Sequence, residues 1–462
     1  MLLQLKEFYL QAEILTVKIE KLSNLGLGIA KIDGYVIFIP NTCPNDVAKI
    51  KIIKRNKNYA KAEVLEIIES SHDRVEPFCK MQKVCGSCQL QFIDYKAQLK
   101  FKKEIIEDTM MSIYGSEEVE IRNVIPSPLI MEYRHKVQYP IGQTKDSKRI
   151  LAGYYKAGTH ELVNIKYCPI QPKYCDTIID FIRIKAQELG VTGYNEKSDK
   201  GELRHVIIRT SYKNKYNLVV LVVNSNELSP KVKELANSIY KELDNISGVS
   251  INFNNKKTNL ILGDKTIVIA GQEYIDEDLC DITFKVGAKT FFQVNPKTAD
   301  NIFRYIKDYI AKKFEKPLIL DAYAGITAFG ICLSDIASKV VSIEEVKESV
   351  ELAKIIIDEN RINNIELHRG DAGKFLSNQF ILERQFHITI LDPPRKGCST
   401  NSLDYALKLT KDKIIYVSCN PATLARDLKY LKDQGAIIEY IQPFDMFPHT
   451  YHIENVAIIN VR

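Results

Sequence analysis

Cys419 stands where an apolar run, IIYVS, gives way to Asn420 and Pro421 and then to a helical stretch, PATLARDL. A thiol at the carboxyl end of a buried strand, with a helix beginning just beyond it, is placed to act as a nucleophile. The partial positive charge of the helix start favours the thiolate. Upstream, a second apolar run, ITIL, ends in Asp392, Pro393, Pro394 and Arg395. Near the end of the chain, FPHTYHIENVAII sets His449, His452 and Glu454 before a last apolar run. A covalent nucleophile needs a group that moves a proton, and Glu454 is the candidate base, with the two histidines as rivals. Taken alone, Cys419 reads as a buried structural thiol, since free Cys is among the most buried residue types. The two other polar tips beside it weigh for chemistry.

These tips must be held by a regular scaffold. From Phe291 onward the runs LILDAY, KVVSIEE, IELHRGDA, ITILDPP, IIYVSCN and ENVAII alternate with helical stretches such as SVELAKIIIDENR. That alternation predicts an α/β, Rossmann-like domain over 284–462. Its first turn, Asp321 to Gly330, opens a helix straight after a strand, and Gly325 lets a ligand approach the backbone closely. Glu344 ends the second strand, where a carboxylate can accept both ribose hydroxyls, and Asp371 follows the third, at the adenine end. Each acid alone would be a helix cap or a solvated side chain; at successive tips they form a nucleoside crevice. No G-x-x-x-x-G-K-[ST] is present, which excludes a triphosphate site. A dinucleotide fingerprint is also missing, because Thr327 occupies the place of a second glycine.

SCNPATLARDL, LDPPRKG and DMFPHTYHIE together resemble the C-terminal motifs of the RNA uracil-5-methyltransferase family, which uses S-adenosylmethionine. The resemblance implies Cys419 as nucleophile and Glu454 as general base. The chemistry calls for such a pair, because carbon 5 of uracil is too electron-poor to attack a methyl sulfonium unaided until a thiolate has added at carbon 6. It further implies cofactor contacts at Gln293, Tyr323, Glu344 and Asp392. Gly325 shapes the loop, and Asp371 is the weaker addition. Thr327 departs from the family turn D-x-[YF]-x-G-x-G, which predicts a rearranged loop or weaker cofactor binding. Phe444 and Phe447 are candidates to stack on a flipped base or to fill the core.

Residues 7–68 alternate apolar and polar positions and break at Gly26, Gly28, Gly34 and Pro40, which predicts a small β-barrel. LGLGIAKIDGYVIFIPNTCPNDVAKIKI is similar to the TRAM domain, an OB-like RNA-binding module. Lys54, Arg55, Lys57, Tyr59 and Lys61 would line its RNA face. Residues 73–283 read as an α+β domain on an antiparallel sheet, with a helix at Pro230–Leu243. Arg134, Lys136, Arg204, His205 and Arg209 supply cations there, for phosphate or for a solvated face. The resemblance favours RNA contact by Arg134 and Lys136. A helix over 95–114, basic at its start, is expected as a strut between domains.

Ten cysteines without a secretory pattern point to metal or catalysis before disulfides. Cys79, Cys85 and Cys88 form C-x₅-C-x₂-C and Cys168 stands apart, a set that suits zinc or an iron–sulfur cluster. The resemblance implies a [4Fe-4S] cluster; Cys175 is a substitute ligand. A net charge of +6 is mild for a nucleic-acid binder, and no apolar run reaches membrane-spanning length. The expectation is a cytoplasmic, monomeric enzyme, and the resemblance, with both the barrel and the cysteine set present, implies a loop or bulge of 23S rRNA as its substrate. A transfer RNA enzyme and an RNA assembly factor with a vestigial site are the alternatives.

Overall fold

The computed structural model describes residues 13–115 and 118–461. Residues 7–12 of the expected barrel lie outside the described residues. The remainder forms a six-stranded sheet in the order Ile14–Lys18, Val47–Arg55, Tyr59–Glu69, Tyr35–Ile39, Gly28–Ile32, Lys21–Leu22. Alternation in VAKIKIIKR turns Ala48, Ile50 and Ile52 into the barrel core and leaves the lysines outside. Lys54, Arg55, Lys57 and Lys61 are exposed, although Arg55 is paired with Glu13. Lys54 lies opposite Lys61 in register, a like-charge pair that an anion would relieve.

The central sheet has seven strands, Leu162–Asn164, Ile150–Tyr155, Lys136–Gln143, Leu203–Thr210, Asn217–Val223, Ile246–Phe253 and Lys265–Gly271 in spatial order. It is antiparallel except where the helix Pro230–Glu242 crosses between Asn217–Val223 and Ile246–Phe253, which run parallel. A second helix, Lys173–Glu188, was not apparent from sequence. It buries Ile178, Ile179 and Ile182 on the same core. The hairpin Tyr274–Leu279 and Ile282–Gly287 stands apart as two strands and places Ile275, Phe284 and Val286 in the core of the C-terminal half.

That half is a doubly wound sheet in the order Ile365–Arg369, Lys339–Glu344, Leu318–Asp321, Phe386–Leu391, Thr410–Ser418, Glu454–Asn460, Ile437–Phe444. The first five strands are parallel, and Glu454–Asn460 runs antiparallel to both of its neighbours. Ile437–Phe444 is a strand the sequence pattern did not suggest, and a short segment, Glu120–Ile121, pairs on its outer side. The helix Tyr95–Ile113 is capped by Asp94, whose side chain accepts from Lys96 N and Ala97 N. Its Ile106 and Met110 pack with Leu424, Leu428 and Leu431 of the helix Pro421–Asp433, while Phe101 and Ile105 pack with Leu22, Leu90 and Phe92. One helix thus joins the barrel, the cysteine loop and the catalytic sheet. Among the described residues no helix is long and apolar enough to cross a membrane.

Candidate active site

The strand order reverses between Leu318–Asp321 and Phe386–Leu391, and at such a switch point the loops diverge and leave a crevice at the carboxyl edge. A cleft of about 820 Å³ opens there. Gln293, Tyr323, Gly325, Glu344, Asp371, Asp392, Cys419 and Glu454 all line it, and Arg395 and Phe447 join them. Phe444 does not: it is fully buried in the core.

At the first strand's tip the backbone is arranged for a ligand. Gly325 has φ +56°, and a Cβ there would meet nothing within 4 Å, so this turn borders open space. Glu344 holds the turn, accepting Gly325 N at 2.8 Å through Oε2 and Val346 N at 2.7 Å through Oε1. Val346, 51 % exposed, and Phe291, 65 % exposed, present apolar surface to the same cleft. Neither was singled out from sequence. The position of Val346 just past two acids at a strand tip was the available signal. Asp371 is exposed and accepts Lys374 N at 2.9 Å, capping the helix Ala372–Ile381 as well as facing the cleft. This geometry fits a nucleoside-bearing cofactor in donor chemistry and room.

Thr327 adopts the left-handed conformation, φ 60° and ψ 37°, that a glycine would take without strain. The threonine is thus held in a backbone conformation that strains a β-branched residue. It is fully buried, and its Cγ2 would lie 2.6 Å from a Cβ added at Gly330, as would Ser342 Oγ. Gly330→Ala is expected to cost about 1–3 kcal/mol through overpacking. Adding Thr327→Gly should recover part of that loss, because one of the two clashes disappears. Urea denaturation midpoints of the single and double variants check this; strictly additive effects would refute the contact.

At the reacting end, Cys419 is half-buried, and Asn420 caps the following helix by accepting Ala422 N at 3.1 Å. Asn420 Nδ2 also donates to Arg395 O, which ties the two strand tips together. The helix start was expected to ease the thiol toward its anion. In the cleft as it stands burial wins, and with the Glu454 charge it pushes the thiol up to about 11, against the pull of Arg395. Burial likewise pushes Asp392 up to about 7. Glu454, 5 % exposed, is held well above the usual carboxylate range by burial first and by Asp392 second, with Arg395 opposing. Alkylation of Cys419 by iodoacetamide, followed by peptide mass mapping, should therefore be slow at neutral pH. It should rise roughly tenfold per pH unit toward pH 11, tracking the thiolate. A plateau already reached at neutral pH would contradict this electrostatic picture.

Neither His449 nor His452 lines the cleft. His449 Nε2 is 3.0 Å from Ile130 O and Nδ1 is 3.2 Å from Gln98 Nε2, so both ring nitrogens have partners in the fold. His452 does not line the cleft but packs its ring 5.7 Å from that of Phe447. Burial lowers both histidines to about 4.

Outside the cleft, Arg134 is partly exposed and faces Cys88 and Cys168, and Lys136 is partly exposed opposite Arg209 in register. Burial, then Arg209, lowers Lys136 to about 7. Arg204 and Arg209 are not a solvated face. They are 5 % and 3 % exposed and donate to main-chain carbonyls, Arg204 to Asn254 O at 2.6 Å and Arg209 to Thr290 O. His205 is partly exposed, and its Nδ1 is shielded without a hydrogen-bond partner.

The cysteine loop docks on the central sheet through Gly86 N to Tyr155 O at 3.0 Å, where a Cβ on Gly86 would strike the Ala157 backbone at 2.8 Å. Cys88 and Cys168 are buried in one core, with Cys85 packed against it, and Cys79 is partly exposed. Cys175 is buried in the same core, its Sγ 3.7 Å from Thr210 Oγ1. The donor set suits a thiophilic metal or cluster in kind. Among the described residues, however, no group of three or more His, Cys, Asp or Glu is arranged to hold a metal ion.

Residues 94–461 match the family model described as tRNA (Uracil-5-)-methyltransferase, and residues 10–65 match the TRAM domain. The chain belongs to the RNA uracil-5-methyltransferase family. It is 37 % identical over 450 residues to an uncharacterized RNA methyltransferase of Halalkalibacterium halodurans, covering 97 % of each chain. A relative from Clostridium acetobutylicum, also named an uncharacterized RNA methyltransferase, is 37 % identical over 447 residues, 96 % of each. Among solved structures, Pyrococcus abyssi tRNA (uracil-54, C5)-methyltransferase in complex with S-adenosyl-L-homocysteine superposes with a TM-score of 0.76 at 26 % identity. The match covers 96 % of this chain and 100 % of that one. The chain is thus an S-adenosylmethionine-dependent RNA methyltransferase with a Rossmann-like catalytic half and an N-terminal TRAM barrel.

Proposed function

We propose that this methyltransferase converts a specific uridine of 23S rRNA to 5-methyluridine through a covalent Cys419 adduct. The observation that carries the reading is the meeting of Cys419, Glu454 and the glycine turn in one cleft. Gln293, Tyr323, Glu344 and Asp392, with Gly325 in the turn and Asp371 at the adenine end, hold S-adenosylmethionine, which when bound supplies an electrophilic methyl group. Cys419 thiolate adds to carbon 6 of a uracil flipped into the cleft, and carbon 5 becomes nucleophilic enough to take the methyl group. Arg395, beside the thiol, stabilises its anion. Glu454 then removes the proton from carbon 5, the double bond reforms, and the thiolate leaves. Phe447 is placed to contact the uracil ring. The barrel cations Lys54, Arg55 and Lys57, with Arg134 and Lys136, draw in the phosphates of a loop or bulge.

Ribosomal RNA is the first reading because the resemblance pairs the TRAM barrel and the four-cysteine set with that substrate. A transfer RNA substrate is the second reading. The solved tRNA enzyme matches along nearly the whole chain, so the barrel does not discriminate. Mass mapping of 5-methyluridine in both RNA classes from a deletion strain decides: loss from 23S rRNA supports the first, and loss from tRNA alone replaces it. For Cys79, Cys85, Cys88 and Cys168 the resemblance implies a [4Fe-4S] cluster, with zinc the alternative. Cys88 and Cys168 beside Arg134, with Cys85 packed against the same core, support a bound cofactor, and the lack of a metal-holding group of three ligand side chains among the described residues weighs against it. Anaerobic purification should yield iron and acid-labile sulfide in equal amounts; protein free of both, or holding zinc, removes the cluster from the proposal.

A further inference from the structure

The helix Tyr95–Ile113 buries two polar side chains one turn apart, Gln98 and Lys102, each 0 % exposed. Lys102 Nζ lies 2.6 Å from Asp445 Oδ1, in an ion pair with no solvent access on either side, and 3.1 Å from Phe447 O. Gln98 accepts His449 N through Oε1 at 3.0 Å, and its amide nitrogen donates to Leu90 O and Ile93 O at 3.1 and 2.9 Å. Both side chains hold the same turn, which joins Ile437–Phe444 to Glu454–Asn460. Within it, Met446 O accepts from Asn295 Nδ2 at 3.1 Å, Pro448 O from the Tyr133 hydroxyl at 3.0 Å, and His449 O from Leu90 N at 2.9 Å.

This turn sets the reacting end of the cleft. Phe444 and Glu454 face each other in register, so Asp445 is the first residue beyond the strand pair that presents Glu454. Phe447, two residues on, lines the cleft. A buried ion pair is a poor way to add stability, because desolvating the two charges costs several kcal/mol each and an apolar pair of similar volume is often as stable or more so. Its distinctive property is direction: an ammonium shared between one carboxylate and one carbonyl fixes where both must lie.

We propose that Lys102 is a positioning residue for methyl transfer, holding through Asp445 and Phe447 the turn that sets Glu454 and Phe447 against Cys419. The proposal rests on Glu454 acting as the base. A helix far away in sequence would then register the base with the nucleophile, and the step most sensitive to its loss is proton removal from carbon 5, after the methyl group has arrived.

The test uses the full-length protein and total RNA from a deletion strain as substrate. Lys102→Met/Asp445→Leu replaces the ion pair with an apolar one. It is expected to melt within about 3 °C of wild type. Its kcat should fall about 10²-fold, the order expected for a misplacement near 1 Å. KM for RNA and for S-adenosylmethionine should stay within about threefold, and a denaturation-resistant protein–RNA adduct should accumulate. Wild-type kcat in the double variant overturns the proposal, as does a loss of kcat matched by a rising S-adenosylmethionine KM with no adduct. Should the double variant not fold, Asp445→Asn, which preserves shape and removes the charge, carries the same test. It should slow turnover and trap adduct, and unchanged kcat overturns the proposal. Lys102→Arg keeps the charge and should retain more activity than either. Glu454→Gln separates the two readings: if that variant resolves its adduct at the wild-type rate, the base assignment itself fails, whatever the Lys102 variants do.

Discussion

Cys419→Ala is expected to abolish formation of 5-methyluridine while leaving the protein folded and able to bind RNA. The side chain is half-buried at a strand tip, and its truncation removes one sulfur from a helix start that Asn420 caps independently, so the stability cost should be about 1 kcal/mol or less. Catalysis has no such reserve. Without the thiolate, carbon 5 never becomes nucleophilic, and the rate should fall by more than about 10⁴-fold, as for nucleophile deletions elsewhere. RNA affinity, spread over the barrel and central cations, should change little. Filter binding alongside tritium transfer from labelled S-adenosylmethionine reads both quantities. Methylation at the wild-type rate would return Cys419 to the status of a structural thiol and favour an assembly factor whose cleft is vestigial.

Glu454→Gln is expected to slow turnover by about 10²–10⁴-fold, the usual worth of a positioned base, and to leave enzyme covalently attached to methylated RNA. An amide cannot take the carbon 5 proton, so the ring cannot regain its double bond and the Cys419 sulfur cannot depart. Stability should hold or rise, because burial already penalises the charged carboxylate and a neutral side chain of the same shape avoids that penalty. Denaturing gels of enzyme with deletion-strain RNA would show the adduct as a slow band. Asp392 shares the cleft, with its own carboxyl pushed up to about 7. Full turnover in Glu454→Gln together with loss in Asp392→Asn would move the base role there.

The catalytic half was legible because its signals are local. Apolar runs ending in Asp392, Cys419 and Asp321 read as strands whose tips share one edge, and the structure brings Asp392, Cys419 and the turn after Asp321, Tyr323 to Gly325, to one cleft. Ile437–Phe444 escaped notice because it carries Gln442 and Pro443 at its end, while the strand is nonetheless ordered by Glu454–Asn460 and by Glu120–Ile121. Lys102 was not singled out from sequence; its place between Phe101 and Ile105 on the buried face was the available signal.

By itself the sequence determined what depends on neighbours along the chain: strand and helix alternation, the barrel's period of two, the helix start after Cys419, the glycine turn and the candidates for the reacting groups. Tertiary structure decided what depends on distant partners. It chose His449 as a brace, Arg204 and Arg209 as carbonyl donors, Lys102 as half of a closed ion pair, and a left-handed Thr327. It also set the ionisation of Cys419 and Glu454, because desolvation is a property of the surroundings that the packed fold creates and no local stretch contains.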